Sequence, residues 1–331
     1  MTRRAAAVAL AALLLGAAAA AQDPAAAAAG AGSLDARDLD QVPLEDGERT
    51  RLAEALKAGA YDRAQAVLLD AYARSPRSPA LLRLLGGVLF VRGEYLDSAI
   101  ALKKAEALAP LDARSRFTLA MAYVVLHRGR WARPELETLA AAEPRSPLYP
   151  YWLARLEYDE EHYAAAVDGF RRALALDPGY AKAHDNLGLA LDALGRYDEA
   201  IKSYSEALRL NRARAARSPW PALNLGLLLT RLDRLDEAEP LLRESAREDP
   251  LFARAPAQLG IVLEKRGRTA EAIASLLEAA RLDPRYAEPH YVLARLYRRA
   301  GESEKADRAL ATFQDLKKDA GRYVPEAVPP R

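Results

Sequence analysis

The chain contains no cysteine in 331 residues. That absence excludes a disulfide framework, a thiol nucleophile, a cysteine-ligated metal and a lipid-modified cysteine, and it leaves either redox compartment open. Histidine is scarce as well. His127, His162, His184 and His290 complete the set, and none has a second histidine or a carboxylate at ligand spacing along its own helical face. No metal is therefore expected. Charge of one sign is missing too: 48 Lys and Arg against 46 Asp and Glu leave a net +2, which aims no strong field at nucleic acid or acidic substrates. There is no glycine-rich phosphate loop, no G-x-S-x-G elbow and no convincing strand of alternating period. No cofactor is expected, and the chain is read as a non-enzyme.

Long hydrophobic runs are confined to one place. Met1-Thr2-Arg3-Arg4 is followed by the apolar stretch Ala5 to Ala21 and by Ala19-Ala20-Ala21 before Gln22. Basic segment, apolar segment and small-residue site in that order predict a cleaved signal peptide over 1–21, and hence export, most readily to a bacterial periplasm. The alternative is an uncleaved membrane anchor, for which a short alanine-dominated run is a poor span. Residues 22–44, rich in Ala, Gly and Pro at first and lacking periodicity, are expected to be a flexible leader.

What the chain has in abundance is a repeat. Small residues recur at Ala64, Ser98, Ala132, Ala166, Ala200, Ala238, Ala272 and Ala306, 34 apart except for 38 between Ala200 and Ala238. If each unit is numbered so that this residue is position 20, position 8 reads Leu52, Gly86, Ala120, Ala154, Gly188, Gly226, Gly260 and Ala294. Position 24 is always large: Leu68, Leu102, Leu136, Phe170, Tyr204, Leu242, Leu276, Leu310. Position 32 is proline except at Arg212 and Lys318. Apolar residues follow helical periodicity on either side of a turn near position 15, so each unit reads as two helices. The small columns are expected where the helices of a unit cross, the large column between one unit and the next. The units are 45–78, 79–112, 113–146, 147–180, 181–214, 219–252, 253–286 and 287–320. Unit three has its turn glycine, Gly129, two residues late. The four extra residues before Pro219 predict a longer second helix in unit five. It would carry Arg209, Arg212, Arg214 and Arg217, which read chiefly as a solvated extension. Residues 321–331 form a tail.

These columns resemble the tetratricopeptide repeat family over residues 45 to 320. The resemblance implies an all-α, right-handed superhelical solenoid of antiparallel helix pairs, a concave groove that binds a peptide or protein, and no chemistry of its own. In that family the groove is lined by the first helix of each unit. Carried onto this sequence, units three and four offer Phe117, Met121, Tyr151, Trp152, Arg155 and Tyr158. Units five to seven offer Asn186, Leu189, Trp220, Asn224, Leu227, Arg254 and Gln258. Asn186, Asn224 and Gln258 share one column and could form an amide ladder along an extended peptide. The family's carboxylate clamp is matched only in part, because Asp185 and Leu189 stand where it needs Lys and Asn.

The function expected is a non-enzymatic scaffold that holds a protein or peptide partner in the cell envelope. A second reading is an accessory subunit of an envelope polysaccharide or secretion complex that works through its outer face. An enzyme with an unrecognised site ranks third.

Overall fold

The computed structural model describes residue 39 and residues 42–322. The expected signal segment and all of the leader except Leu39 and 42–44 lie outside the described residues, as does the tail beyond Arg322. Among the described residues there are sixteen α-helices and no strand. The chain divides into two compact units, Met1–Pro178 and Gly179–Arg331.

The first unit holds α1 (Asp46–Lys57), α2 (Tyr61–Arg74), α3 (Pro79–Val91), α4 (Tyr95–Leu108), α5 (Ala113–Val125), α6 (Gly129–Ala142), α7 (Leu148–Asp159) and α8 (Tyr163–Leu176). The second holds α9 (Ala181–Ala193), α10 (Tyr197–Arg212), α11 (Trp220–Arg231), α12 (Leu235–Glu248), α13 (Arg254–Lys265), α14 (Thr269–Leu282), α15 (Ala287–Arg299) and α16 (Ser303–Arg322). Within each unit, successive helices pair, and each pair packs on the next.

Local chemistry sets the helix starts. Ser78 accepts a hydrogen bond from the Leu81 amide ahead of Pro79, whose fixed φ suits a first turn. Asp112 does the same for Ser115. Pro134 and Pro240 differ from that pattern: each is the sixth residue of its helix, inside α6 and α12.

The position-20 column is the core. All eight of its residues, from Ala64 to Ala306, are completely buried. The position-24 residue also packs within its own repeat. It lies over position 8 of its own unit. A Cβ placed on Gly86, Gly226 or Gly260 would come within 2.6–2.9 Å of Leu102, Leu242 or Leu276. Position 8 is small because a large side chain from the partner helix occupies its place.

The turn between the helices of a unit is left-handed at position 15 in all eight repeats. Five of these residues are glycines; the others are His127, Glu161 and Asp233, at φ 54, 62 and 61°. Unit three therefore turns at His127, in register, and Gly129 is the first residue of α6. A glycine nearby is no guide to which residue carries the positive φ when histidine can be forced into it.

Two further differences concern the ends of repeats. α10 runs to Arg212, two residues longer than the second helices of the other repeats except the last, and the rest of the insertion is a loop rather than helix. Asn211 closes that loop, donating to the Ser218 carbonyl at 2.9 Å and accepting from the Ser218 amide at 2.9 Å. At the start of the array, Leu39 and Val42 are buried in the core of the first two repeats, and Arg49 donates to both of their carbonyls. The last part of the expected leader thus packs as a cap.

Candidate partner-binding surface

Burial sorts the expected groove residues. In the first unit Phe117 and Met121 on α5, and Tyr151, Trp152, Arg155 and Tyr158 on α7, are all buried. The aromatic ones pack against one another and their neighbours: Phe117 on Tyr149, Tyr151 on Trp152 and Phe170, and Tyr158 on Tyr163, with centroids 5.4–6.1 Å apart. Such edge-on contacts are how aromatic rings fill a core. Arg155 lies 3.7 Å from Asp159. Burial pushes the Asp159 carboxyl up, against the pull of Arg155 and His127.

In the second unit Asn186, Leu189 and Asn224 are buried. Two of the three amides of the expected ladder already donate inside the chain. Asn186 bonds the Lys182 carbonyl one turn back at 2.8 Å, and Asn224 donates to both oxygens of Asp185 at 3.0 and 3.1 Å. A side-chain amide in a helix readily turns to its own backbone or to a neighbouring carboxylate. The same column in different units therefore need not face the same way.

Trp220, Leu227, Arg254 and Gln258 keep accessible surface. All four lie on α11 and α13, which are packed neighbours. Phe252 meets the Trp220 ring edge-on at 4.8 Å, and the Arg254 guanidinium lies over it at 5.7 Å. Near Gln258 and Arg254 lies Tyr286, a phenol that burial holds above its ordinary range. Arg254 makes no ion pair among the described residues.

The other cations along these first helices are committed. Arg231 of α11 pairs with Asp192 of α9. Lys265 of α13 reaches the Thr230 carbonyl at 3.3 Å and Asp233 at 3.2 Å. Arg295 and Arg299 of α15 hold Glu264 of α13. Position 13 of the last three repeats (Arg231, Lys265 and Arg299) thus tethers to the C-terminal end of the preceding first helix, where helix-dipole carbonyls and carboxylates favour a cation. These cations stand 34 residues apart, but the same position holds Val91, Val125, Asp159 and Ala193 in earlier repeats, so they do not show as a column.

Histidine needs a correction. His162 does have carboxylates within reach: its Nδ1 is 3.0 Å from Glu157 and 3.7 Å from Glu160. They escape a search along one helical face because the left-handed Glu161 folds His162 back over the end of α7.

Two sequence-family models, both described as tetratricopeptide repeat, match the chain. One covers residues 181–214 and the other covers 53–113, 117–181, 223–287 and 257–323. The small glutamine-rich tetratricopeptide repeat-containing protein 2 of Mycosarcoma maydis is 32% identical over 68 residues, which is 20% of this chain and 19% of that protein. The chain therefore spans about a fifth of that relative's length. Among solved structures, the type IV pilus biogenesis factor PilW superposes with a TM-score of 0.56 at 20% identity, over 65% of this chain and 96% of that one. The Pseudomonas aeruginosa pilF structure gives 0.54 at 21%, over 67% and 99%. The Cut9-Hcn1 complex gives 0.58 at 17%, over 78% and 48%. At these identities the likeness is one of fold.

Proposed function

This chain belongs to the tetratricopeptide repeat family, and on that premise we propose that it is a non-catalytic adaptor holding a protein or peptide partner in the cell envelope. The partner lies across the face of α11 and α13 formed by Trp220, Leu227, Arg254 and Gln258. One observation carries this reading. A half-buried tryptophan, fixed by Phe252 and stacked under an arginine that pairs with no carboxylate among the described residues, is a preorganised aromatic anchor beside an open charge. Trp and Arg are the residue types that dominate interface energetics. The envelope location rests on the basic, apolar and small-residue order of residues 1–21.

The test is capture from an envelope extract with the tagged chain. Trp220→Ala should lose the partner that the parent chain retains. Recovery of the same partner in undiminished amount would remove groove binding from consideration. Cell fractionation of the same tagged chain tests the location, and a cytoplasmic product of unprocessed mass would contradict it.

A second reading uses the outer face, as an accessory subunit of an envelope polysaccharide or secretion complex would. It is favoured by Leu96 and Ile100, one turn apart on α4 and each 45% exposed. Loss of capture in Ile100→Lys, with Trp220→Ala silent, would select it.

A further inference from the structure

We propose that Glu157, Glu160 and His162, at the turn between α7 and α8, form a binding site for a divalent transition metal of the zinc class. The three side chains each offer one ligand atom, and these atoms lie within 4.8 Å of one another. The histidine Nδ1 stands 3.0 Å from Glu157 Oε2 and 3.7 Å from Glu160 Oε2. Ligands about 2.0–2.1 Å from a tetrahedral ion are roughly 3.3 Å from each other, so these two separations bracket the required edge. Three protein ligands leave a fourth position for water or for a side chain of a partner.

The repeat supplies its own control. The left-handed residue at position 15 brings positions 11, 14 and 16 together in every unit, and the amide of His162 bonds the Glu157 carbonyl at 2.8 Å as its counterparts do. At position 11 the other seven units carry alanine, leucine or tyrosine, all buried. Unit four places a carboxylate there, with its side chain 22% exposed. Position 14 is acidic in no other unit, and position 16 is histidine in no other unit. Replacing an apolar packing residue by a carboxylate costs stability unless the charge is compensated. Positions 11 and 14 become carboxylates only here, and position 16, which is glutamate at Glu94 and Glu302, is histidine only here, so all three positions offer ligand atoms at one turn out of eight.

Compensation at present comes from Arg133 on α6, which donates to Glu157 Oε1 at 2.6 Å and to Glu160 Oε2 at 3.1 Å. Burial pushes the Glu157 carboxyl up, but the bonds from Arg133 and His162 outweigh it and leave the group below its ordinary value. Arg133 and a metal ion would draw on the same two carboxylates, so they compete. His162 is 63% exposed, and its replacement leaves the packing of α7 and α8 intact.

The experiment is calorimetric titration of the full chain, freed of any polyhistidine tag, with Zn²⁺, with Co²⁺ absorption as a second reading of tetrahedral coordination. One equivalent of Zn²⁺ should bind, His162→Ala should weaken it by about tenfold or more, and Arg133→Gln should tighten it. Absence of saturable binding in both the parent and Arg133→Gln would overturn the proposal. So would binding that His162→Ala leaves unchanged.

Discussion

A Cβ added to Gly188 would lie 2.5 Å from Cδ1 of Tyr204, whose ring is 1% exposed. That contact is the repeat in miniature: a backbone on one helix with no side chain, and a large side chain on its partner filling the space. Gly188→Ala should destabilise the second unit by about 1–3 kcal/mol, because overpacking a filled site outweighs the helix propensity alanine adds. Gly47→Ala on α1, where nothing lies within 4 Å of the new methyl, should instead be neutral or stabilising by up to about 1 kcal/mol. Urea unfolding followed by circular dichroism compares the two, and equal effects would contradict the packing argument.

The position-20 column makes a parallel prediction. Ala200 is completely buried, so Ala200→Leu should cost about 1–3 kcal/mol. The exposed Lys202→Ala on the same helix should stay within about 0.5 kcal/mol. Because each repeat touches only its neighbours, the Ala200 lesion should melt part of the array before the rest, visible as a split transition in hydrogen exchange.

Left-handed turns give a pair of opposite sign. Glu161 holds φ 62° with a side chain, and Gly195 holds φ 72° without one. Glu161→Gly should therefore gain about 1 kcal/mol and Gly195→Ala should lose about as much. Thermal unfolding of the two variants against the parent is the measurement.

Glu239 on α12 predicts a pH effect. It holds Arg243 at 2.9 Å and Arg268 at 2.7 Å, tying the turn of the following repeat to its own, and its side chain is 12% exposed. Burial pushes its carboxyl up, but hydrogen bonds from Arg243 and Arg268 win and hold it below the usual 4.5. A lowered folded-state pKa means the stabilisation is fully present above the unfolded value and disappears as pH falls through the folded one. Glu239→Gln should cost about 1–3 kcal/mol at pH 7, and the gap to the parent should close as pH falls below about 4. A gap that widens in acid would reverse the assignment.

What could be read from sequence was whatever recurs. Ala64, Ala166 and Ala272 are buried where the period placed them, and the family followed from the same columns. What could not be read was whatever depends on direction. Trp152 and Trp220 occupy columns 6 and 2 of the first helices, about one turn apart, yet one is buried among rings and the other opens to solvent. Spacing fixes the angle around a helix but not how deep the neighbouring pair sits against it. Asn224 was legible as an amide in the right column, but not as the donor that Asp185 of the preceding first helix captures. The Glu157 and His162 convergence was hidden for a related reason: it crosses a turn, and helical periodicity ends at turns.

The adaptor reading meets its most direct test in living cells. A photo-crosslinking amino acid placed at Leu227 or Gln258, and separately at Lys202 as an exposed control, reports which surface a partner touches. The account predicts a discrete crosslinked product from Leu227 and Gln258 and none from Lys202. A product from Lys202 alone would contradict it.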